Sequence, residues 1–171
     1  LRAFRARARA AVAERYGLRA PHLLVALGRL LPIKGFDGLI RSLPLAESLI
    51  GEPIELLLCG PSRSVAGLGD YRAVLERLAA ECGVAERVRF AGEVPHDATR
   101  EHLAAADALA VPSVMEGGAK VLLEAAAVGT PFVATETAGT PAFLPDGGLT
   151  TPPIARAPKA FGRALAVIFG N

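Results

Sequence analysis

Residues that usually carry metal, redox or membrane chemistry are scarce in this chain. Among 171 residues there are two cysteines, three histidines and one methionine. Cys59 and Cys82 lie far apart and form no Cys-x-x-Cys pair, so both read as buried, reduced thiols of a cytosolic protein. His22, His96 and His102 are scattered, and no carboxylate cluster has metal-ligand spacing, so no metal site follows. No run of about 18 apolar residues escapes an interrupting charge, which argues against a membrane-spanning helix. A Walker A sequence and internal repeats are absent. Gly67-Leu68-Gly69 lacks the further glycine of a dinucleotide fingerprint, and the stretch between Gly60 and Asp70 reads as a flexible connection.

What is present is a chain 51% apolar, with alanine supplying much of that share. Its length fits one domain, residues 1–171, able to bury a core without disulfides. Because it opens at Leu1 and its sole methionine is Met115, it reads as a piece of a longer protein. The opening Arg-Ala alternation has neither the apolar core nor the cleavage site of a targeting peptide. The formal charge of +2 hides an asymmetry: six arginines and one glutamate fall within residues 1–20, leaving 13 basic and 16 acidic residues beyond. This basic first helix reads as a solvated face, with contact to anionic lipid or to a missing partner domain as the alternative. No nucleic-acid-binding motif accompanies the arginines, so nucleic acid is not expected as a partner.

After a helix over 1–17, short β-rich runs alternate with helical ones. Strands are expected at 23–27, 54–59, 88–91, 108–111, 132–134 and 149–151. Helices are expected at 36–49, 71–82, 98–105, 118–128 and 158–169. Such alternation predicts an α/β fold: a Rossmann-like open parallel sheet of about six strands with helices on both faces, whose ligands bind beyond the carboxyl ends of the strands. The glycine-bearing segments Gly28-Arg29, Gly60, Gly92-Glu93, 112–118 and 135–139 all fall at such ends. One crevice would collect them.

The most informative of these is 112–131, Pro-Ser-Val-Met-Glu-Gly-Gly-Ala-Lys-Val-Leu-Leu-Glu-Ala-Ala-Ala-Val-Gly-Thr-Pro. A strand-like run ends in Pro112-Ser113, and a helix-forming run begins where the glycines are. Free backbone N–H groups at a helix start attract anions, and Gly117 and Gly118 leave a ligand room to approach. Glu116 ahead of the helix and Glu124 two turns inside it are acceptors suited to hydroxyl groups. Glu124 lies among alanine and leucine, where a carboxylate is costly unless hydrogen-bonded. A guest that combines phosphate with polyol, such as a nucleotide sugar, fits. Arg29 and Lys34, separated by a Leu-Leu-Pro-Ile turn, can aim two cations into the same crevice, where they would stabilise a diphosphate leaving group.

The pair Glu116 and Glu124 resembles the Glu, seven residues, Glu signature of retaining glycosyltransferases of the GT-B fold. The likeness continues, in the family's order, through Leu27-Gly28-Arg29-Leu30-Leu31-Pro32-Ile33-Lys34-Gly35-Phe36-Asp37, Leu56-Leu57-Leu58-Cys59-Gly60, Arg87-Val88-Arg89-Phe90-Ala91-Gly92-Glu93-Val94, Ala105-Ala106-Asp107-Ala108 and Ala138-Gly139-Thr140-Pro141. It runs from about residue 23 to 152. The resemblance implies the C-terminal, donor-binding domain of a two-domain enzyme whose acceptor domain precedes Leu1. That enzyme would move a sugar from a nucleoside diphosphate to a glycan, lipid or small-molecule acceptor with retention, by a front-face mechanism. It implies that Arg29 and Lys34 hold the donor phosphates, that Glu124 takes the ribose hydroxyls, and that Glu116 contacts the donor sugar. Backbone N–H groups of Gly117, Gly118, Ala119 and Lys120 would line sugar or phosphate beside Gly28, and the base would lie near Arg87, Val88 and 93–95, Val94 included.

Two departures bear on sugar identity: Glu116-Gly117-Gly118-Ala119-Lys120 stands where the family more often has Glu-Gly-Phe-Gly-Leu, and Ala138-Gly139-Thr140-Pro141-Ala142 replaces Gly-Gly-x-Pro-Glu. A nucleotide-sugar epimerase of the same fold and a non-catalytic nucleotide-binding module are the alternatives. No cofactor and no metal are expected, and a cytoplasmic location, peripheral at the inner membrane face if the arginines meet lipid, is the corresponding placement.

Overall fold

The computed structural model describes residues 1–115, 120–137, 148–154 and 157–170. Glu116, Gly117, Gly118, Ala119 and the 138–142 departure lie outside the described residues. The elements, in chain order, are α1 (Arg2–Tyr16), β1 (His22–Leu27), α2 (Phe36–Ile50), β2 (Ile54–Cys59), β3 (Ser64–Val65), β4 (Gly69–Asp70), α3 (Tyr71–Glu81), β5 (Val88–Gly92), α4 (His96–Ala105), β6 (Ala108–Val111), α5 (Lys120–Ala127), β7 (Phe132–Thr135), β8 (Gly148–Thr151) and α6 (Pro158–Phe169).

Six of the strands form one parallel sheet in the order β5-β2-β1-β6-β7-β8. β1 starts in the middle, the chain moves outward through β2 to β5, then returns to β1's other edge and moves outward through β6, β7 and β8. The reversal between β1 and β6 is the topological switch point, where such sheets open a ligand crevice.

The strands are apolar runs without alternation because both faces are covered. Leu24, Ala26, Leu56, Leu58, Ala108, Ala110 and Val133 face one layer, packed with Phe36, Leu39, Leu75, Phe161 and Leu165 of α2, α3 and α6. Their neighbours Leu23, Val25, Leu57, Cys59, Leu109, Val111 and Ala134 face the other, packed with Val12, Leu103, Leu122 and Ala125 of α1, α4 and α5. Burial pushes the Cys59 thiol up to about 12.

Two expectations change here. The stretch 61–70 is an ordered hairpin, not a loose connection: β3 and β4 pair antiparallel, Leu30 bridges Ser62, and the Asp70 carboxylate caps α3 by accepting from Arg72 N at 3.2 Å. The basic first helix is in part an internal tie, made by Arg5 and Arg9. Arg9 meets Asp107 Oδ2 at 2.9 Å, Arg15 meets Glu101 at 3.4 Å, and Arg5 donates to main-chain carbonyls just past the ends of two other helices. Asp107 also accepts from Leu23 N at 2.7 Å, so one carboxylate anchors α1, β1 and the start of β6. Arg2, Arg7, Arg15 and Arg19 remain exposed.

Candidate functional site

The loops leaving the carboxyl ends of five adjacent strands are laced together. Gly60 N donates to Gly92 O at 2.7 Å, Gly28 N to Cys59 O at 2.8 Å, Leu30 N to Pro61 O at 2.9 Å and Val114 N to Ile33 O at 2.9 Å. Thr135 Oγ1 then donates to Ser113 O. The result is a hydrogen-bonded rim from β5 to β7, spanning the switch point.

Two glycines let that rim close. Gly60, at φ 153°, sits so near Gly28 O that an added Cβ would overlap it. Gly35, at φ 69°, ends the short turn Pro32–Lys34 and begins α2 while its Cα lies against Pro112 O, across the switch point. A side chain at Gly35 would therefore push the loop after β1 away from the loop after β6.

Arg29 stands exposed on the β1 loop, and Lys34 is half-buried, its Cδ and Cε 3.6 Å from where a Gly28 Cβ would sit. Lacking that Cβ, Gly28 leaves space beside the lysine stem. The two cations thus share the loop that borders the switch point. Across it, Lys120 is exposed at the first described residue of α5.

Glu124 lies on α5, half-exposed, with no hydrogen bond or ion pair among the described residues. The expectation of a carboxylate buried among apolar neighbours is thereby corrected: solvent, not an apolar wall, is on one side of it. It opens into a groove of about 260 Å³ between α4 and α5, lined by His96, Thr99, Arg100, Glu124, Ala127 and Val128. Both helices contribute at spacing i, i+3, i+4, the positions that share one helical face. From the sequence, His96 is one of three scattered histidines, with no place in the site. The structure makes it the first residue of α4 and a wall of the same groove as Glu124. The helical spacing of 96, 99 and 100 was the available signal, missed because α4 was begun at 98.

Arg87 and Val88 are not at this crevice. Arg87 ends the 3-10 turn before β5 and Val88 opens that strand, so both lie at the amino end of the sheet, opposite the ligand-binding edge. Arg87 forms a two-point pair with Glu47, Nε to Oε1 at 2.7 Å and Nη2 to Oε2 at 2.8 Å, and Glu47 also accepts from Ile54 N. Those carboxylate bonds raise the Arg87 guanidinium further above its ordinary range. Its work is to join the end of α2 to the starts of β2 and β5. Val94, by contrast, lies half-buried in the loop between β5 and α4, beside His96. Among the described residues no group of three or more histidine, cysteine or carboxylate residues could hold a metal ion, and no helix is long and apolar enough to cross a membrane.

A parallel sheet in this order, with a laced carboxyl-end rim and the groove of Glu124 beside it, defines a Rossmann-like domain of the GT-B type. The family model of glycosyl transferases group 1 matches residues 14–165, and the chain belongs to that family, as its C-terminal domain. It is 37% identical over 147 residues to the GDP-mannose-dependent alpha-(1-6)-phosphatidylinositol monomannoside mannosyltransferase of Mycolicibacterium smegmatis, covering 82% of this chain and 36% of that protein. It is 43% identical over 143 residues to the D-inositol 3-phosphate glycosyltransferase of Mycobacteroides abscessus, covering 81% of this chain and 30% of that protein. The chain thus spans about a third of the length of these curated relatives. Among solved structures, sucrose-phosphate synthase from Thermosynechococcus elongatus superposes with a TM-score of 0.78 at 30% identity, covering 97% of this chain and 40% of that one.

Proposed function

We propose that this chain is the donor-binding half of a retaining hexosyltransferase, and that it holds a nucleoside-diphosphate sugar at the switch point. The observation that carries this reading is Glu124, a carboxylate without a partner among the described residues that opens into a groove on the same side of the switch point as Lys120. A ribose diol supplies two donors to such an acceptor. The diphosphate then lies toward Arg29 and Lys34, which stabilise the charge that develops on it as the glycosidic bond breaks; preorganised cations do this in place of a metal ion. Glu116 and the N–H groups of Gly117, Gly118, Ala119 and Lys120 are assigned to the sugar and phosphate on the strength of the family signature. Val94 and Gly28 border the base and the phosphates respectively.

The named relatives make GDP-mannose the first donor to test and an inositol-phosphate-bearing molecule the first acceptor. Acceptor groups would come from a domain outside this chain. Retention is inferred from the family, with the leaving phosphate assisting deprotonation of the acceptor.

Calorimetry with GDP, UDP and ADP, each in chelator and in magnesium, tests the reading. The expected outcome is one preferred nucleotide, bound equally well in both media. Glu124→Leu should then weaken that nucleotide by about 1.5 to 3 kcal/mol while leaving its 2′,3′-dideoxy analogue unchanged. Equal losses for both ligands would remove Glu124 from the ribose, and a strict metal requirement would remove the two-cation account.

A further inference from the structure

The groove beside Glu124 is formed by two helices, α4 and α5, and a residue of a third helix bonds to the ends of both. Arg5 of α1 donates through Nη2 to Ala106 O, just past the last residue of α4, at 2.8 Å, and through Nη1 to Val128 O, just past the last residue of α5, at 3.1 Å. Nη1 also donates to Thr130 Oγ1, and that hydroxyl donates in turn to Leu103 O of α4 at 2.7 Å. One planar guanidinium therefore bridges the C-terminal ends of both helices, where carbonyl oxygens carry the negative end of each helix dipole and favour a cation. A second contact comes from the preceding side chain: Arg100, a wall of the groove, lies 4.9 Å over the ring of Phe4. Val128, whose carbonyl Arg5 holds, lines the groove as well.

We infer that Arg5 is a positioning residue for the donor nucleotide: by fixing the spacing of α4 and α5 it holds Glu124 at the distance from the opposite wall that a bound ribose needs. This rests on the reading of Glu124 given above. A lysine keeps the charge but offers no rigid fork, so it cannot hold two carbonyls in one geometry. Displacements of an ångström in a positioning group are large on the scale of binding geometry.

The test compares the preferred nucleoside diphosphate with inorganic pyrophosphate, which would use Arg29 and Lys34 but not the groove, at a temperature where every variant is folded by circular dichroism. Arg5→Lys should raise the Kd of the nucleotide about five- to tenfold and leave that of pyrophosphate within twofold. In a Glu124→Leu background the same substitution should have almost no further effect, because the two act on one contact. If Arg5→Lys does not fold, Thr130→Val, which removes one of the three acceptors, carries the same comparison with a smaller ratio. Equal weakening of both ligands, or a lower Tm with both affinities unchanged, would make Arg5 a purely structural tie and overturn the inference. A wild-type chain that binds no nucleoside diphosphate, or that binds it as well after Glu124→Leu, would overturn the reading of Glu124 and the inference with it.

Discussion

Replacing Gly35 by alanine should damage both stability and donor binding, and the structure separates the two reasons. Gly35 adopts φ 69°, the left-handed region, where a Cβ costs about 1 to 2 kcal/mol. In addition its Cβ would overlap Pro112 O and stand 3.0 Å from Ile154 Cγ2. Relieving that overlap means parting the β1 and β6 loops, an overpacking penalty of about 1 to 3 kcal/mol. A total near 3 kcal/mol lowers the Tm of a domain this size by about 6 to 12 °C. Gly51 provides the control: its φ is 76°, yet nothing lies within 4 Å of an added Cβ, so Gly51→Ala should cost only the conformational share. Thermal unfolding of both variants followed by circular dichroism gives the difference. Pyrophosphate titration well below either Tm then shows whether Arg29 and Lys34 have moved, with weaker binding expected for Gly35→Ala alone. Equal Tm losses for the two alanines would refute the close approach of the loops, and with it the account of how the rim is held shut.

The remaining predictions are briefer. Arg29→Ala and Lys34→Ala should each weaken a nucleoside diphosphate by about 1.5 to 3 kcal/mol and the bare nucleoside hardly at all, as calorimetry with both ligands would read. Arg87→Ala should lower stability by about 1 to 2 kcal/mol, since it leaves a largely buried Glu47 without its guanidinium, and should leave nucleotide affinity unaltered; a selective loss of affinity would return Arg87 to the site. Cys59, whose thiol burial raises to about 12, should stay unmodified by an aromatic disulfide reagent from pH 7 to 9 in the folded protein, while half-buried Cys82 is labelled; mass spectrometry of the labelled chain distinguishes them.

The six main strands and their helices could be read from the chain because parallel strands covered on both faces are continuous apolar runs, and because glycines such as Gly17 and Gly51 end helices in the left-handed conformation. The hairpin at 64–70 could not, since Ser-Val-Ala-Gly-Leu-Gly-Asp, with two glycines in seven residues, carries no strand pattern. It is ordered by Ser62, Asp70 and the start of α3 rather than by its own propensity. Arg87 misled because a family-like segment was taken as one unit, although a strand's two ends are on opposite edges of the sheet and only one meets ligand. Its partner, Glu47, is forty residues away and invisible to spacing. The α1 arginines misled for the same reason: their acceptors, carboxylates for Arg9 and Arg15 and main-chain carbonyls for Arg5, lie some ninety to a hundred and twenty residues on, beyond the reach of local spacing. The groove lay half in view, in Glu124, and half out of it, in three residues at the start of α4.

β1's place in the middle of the sheet bears on how the chain acquires its shape during synthesis. One edge of β1 is covered by β2, which follows within about thirty residues, but the other waits for β6, and the segment from Leu27 to the end of β6 at Val111 takes roughly 4 to 17 s to emerge at common elongation rates. For that interval an apolar strand edge, Leu23 to Ala26, has no partner, which is the condition under which nascent chains stick to one another. Asp107 arrives immediately before β6 and takes the Leu23 amide and Arg9 together, so the residue that closes the gap is presented just ahead of the strand that fills it.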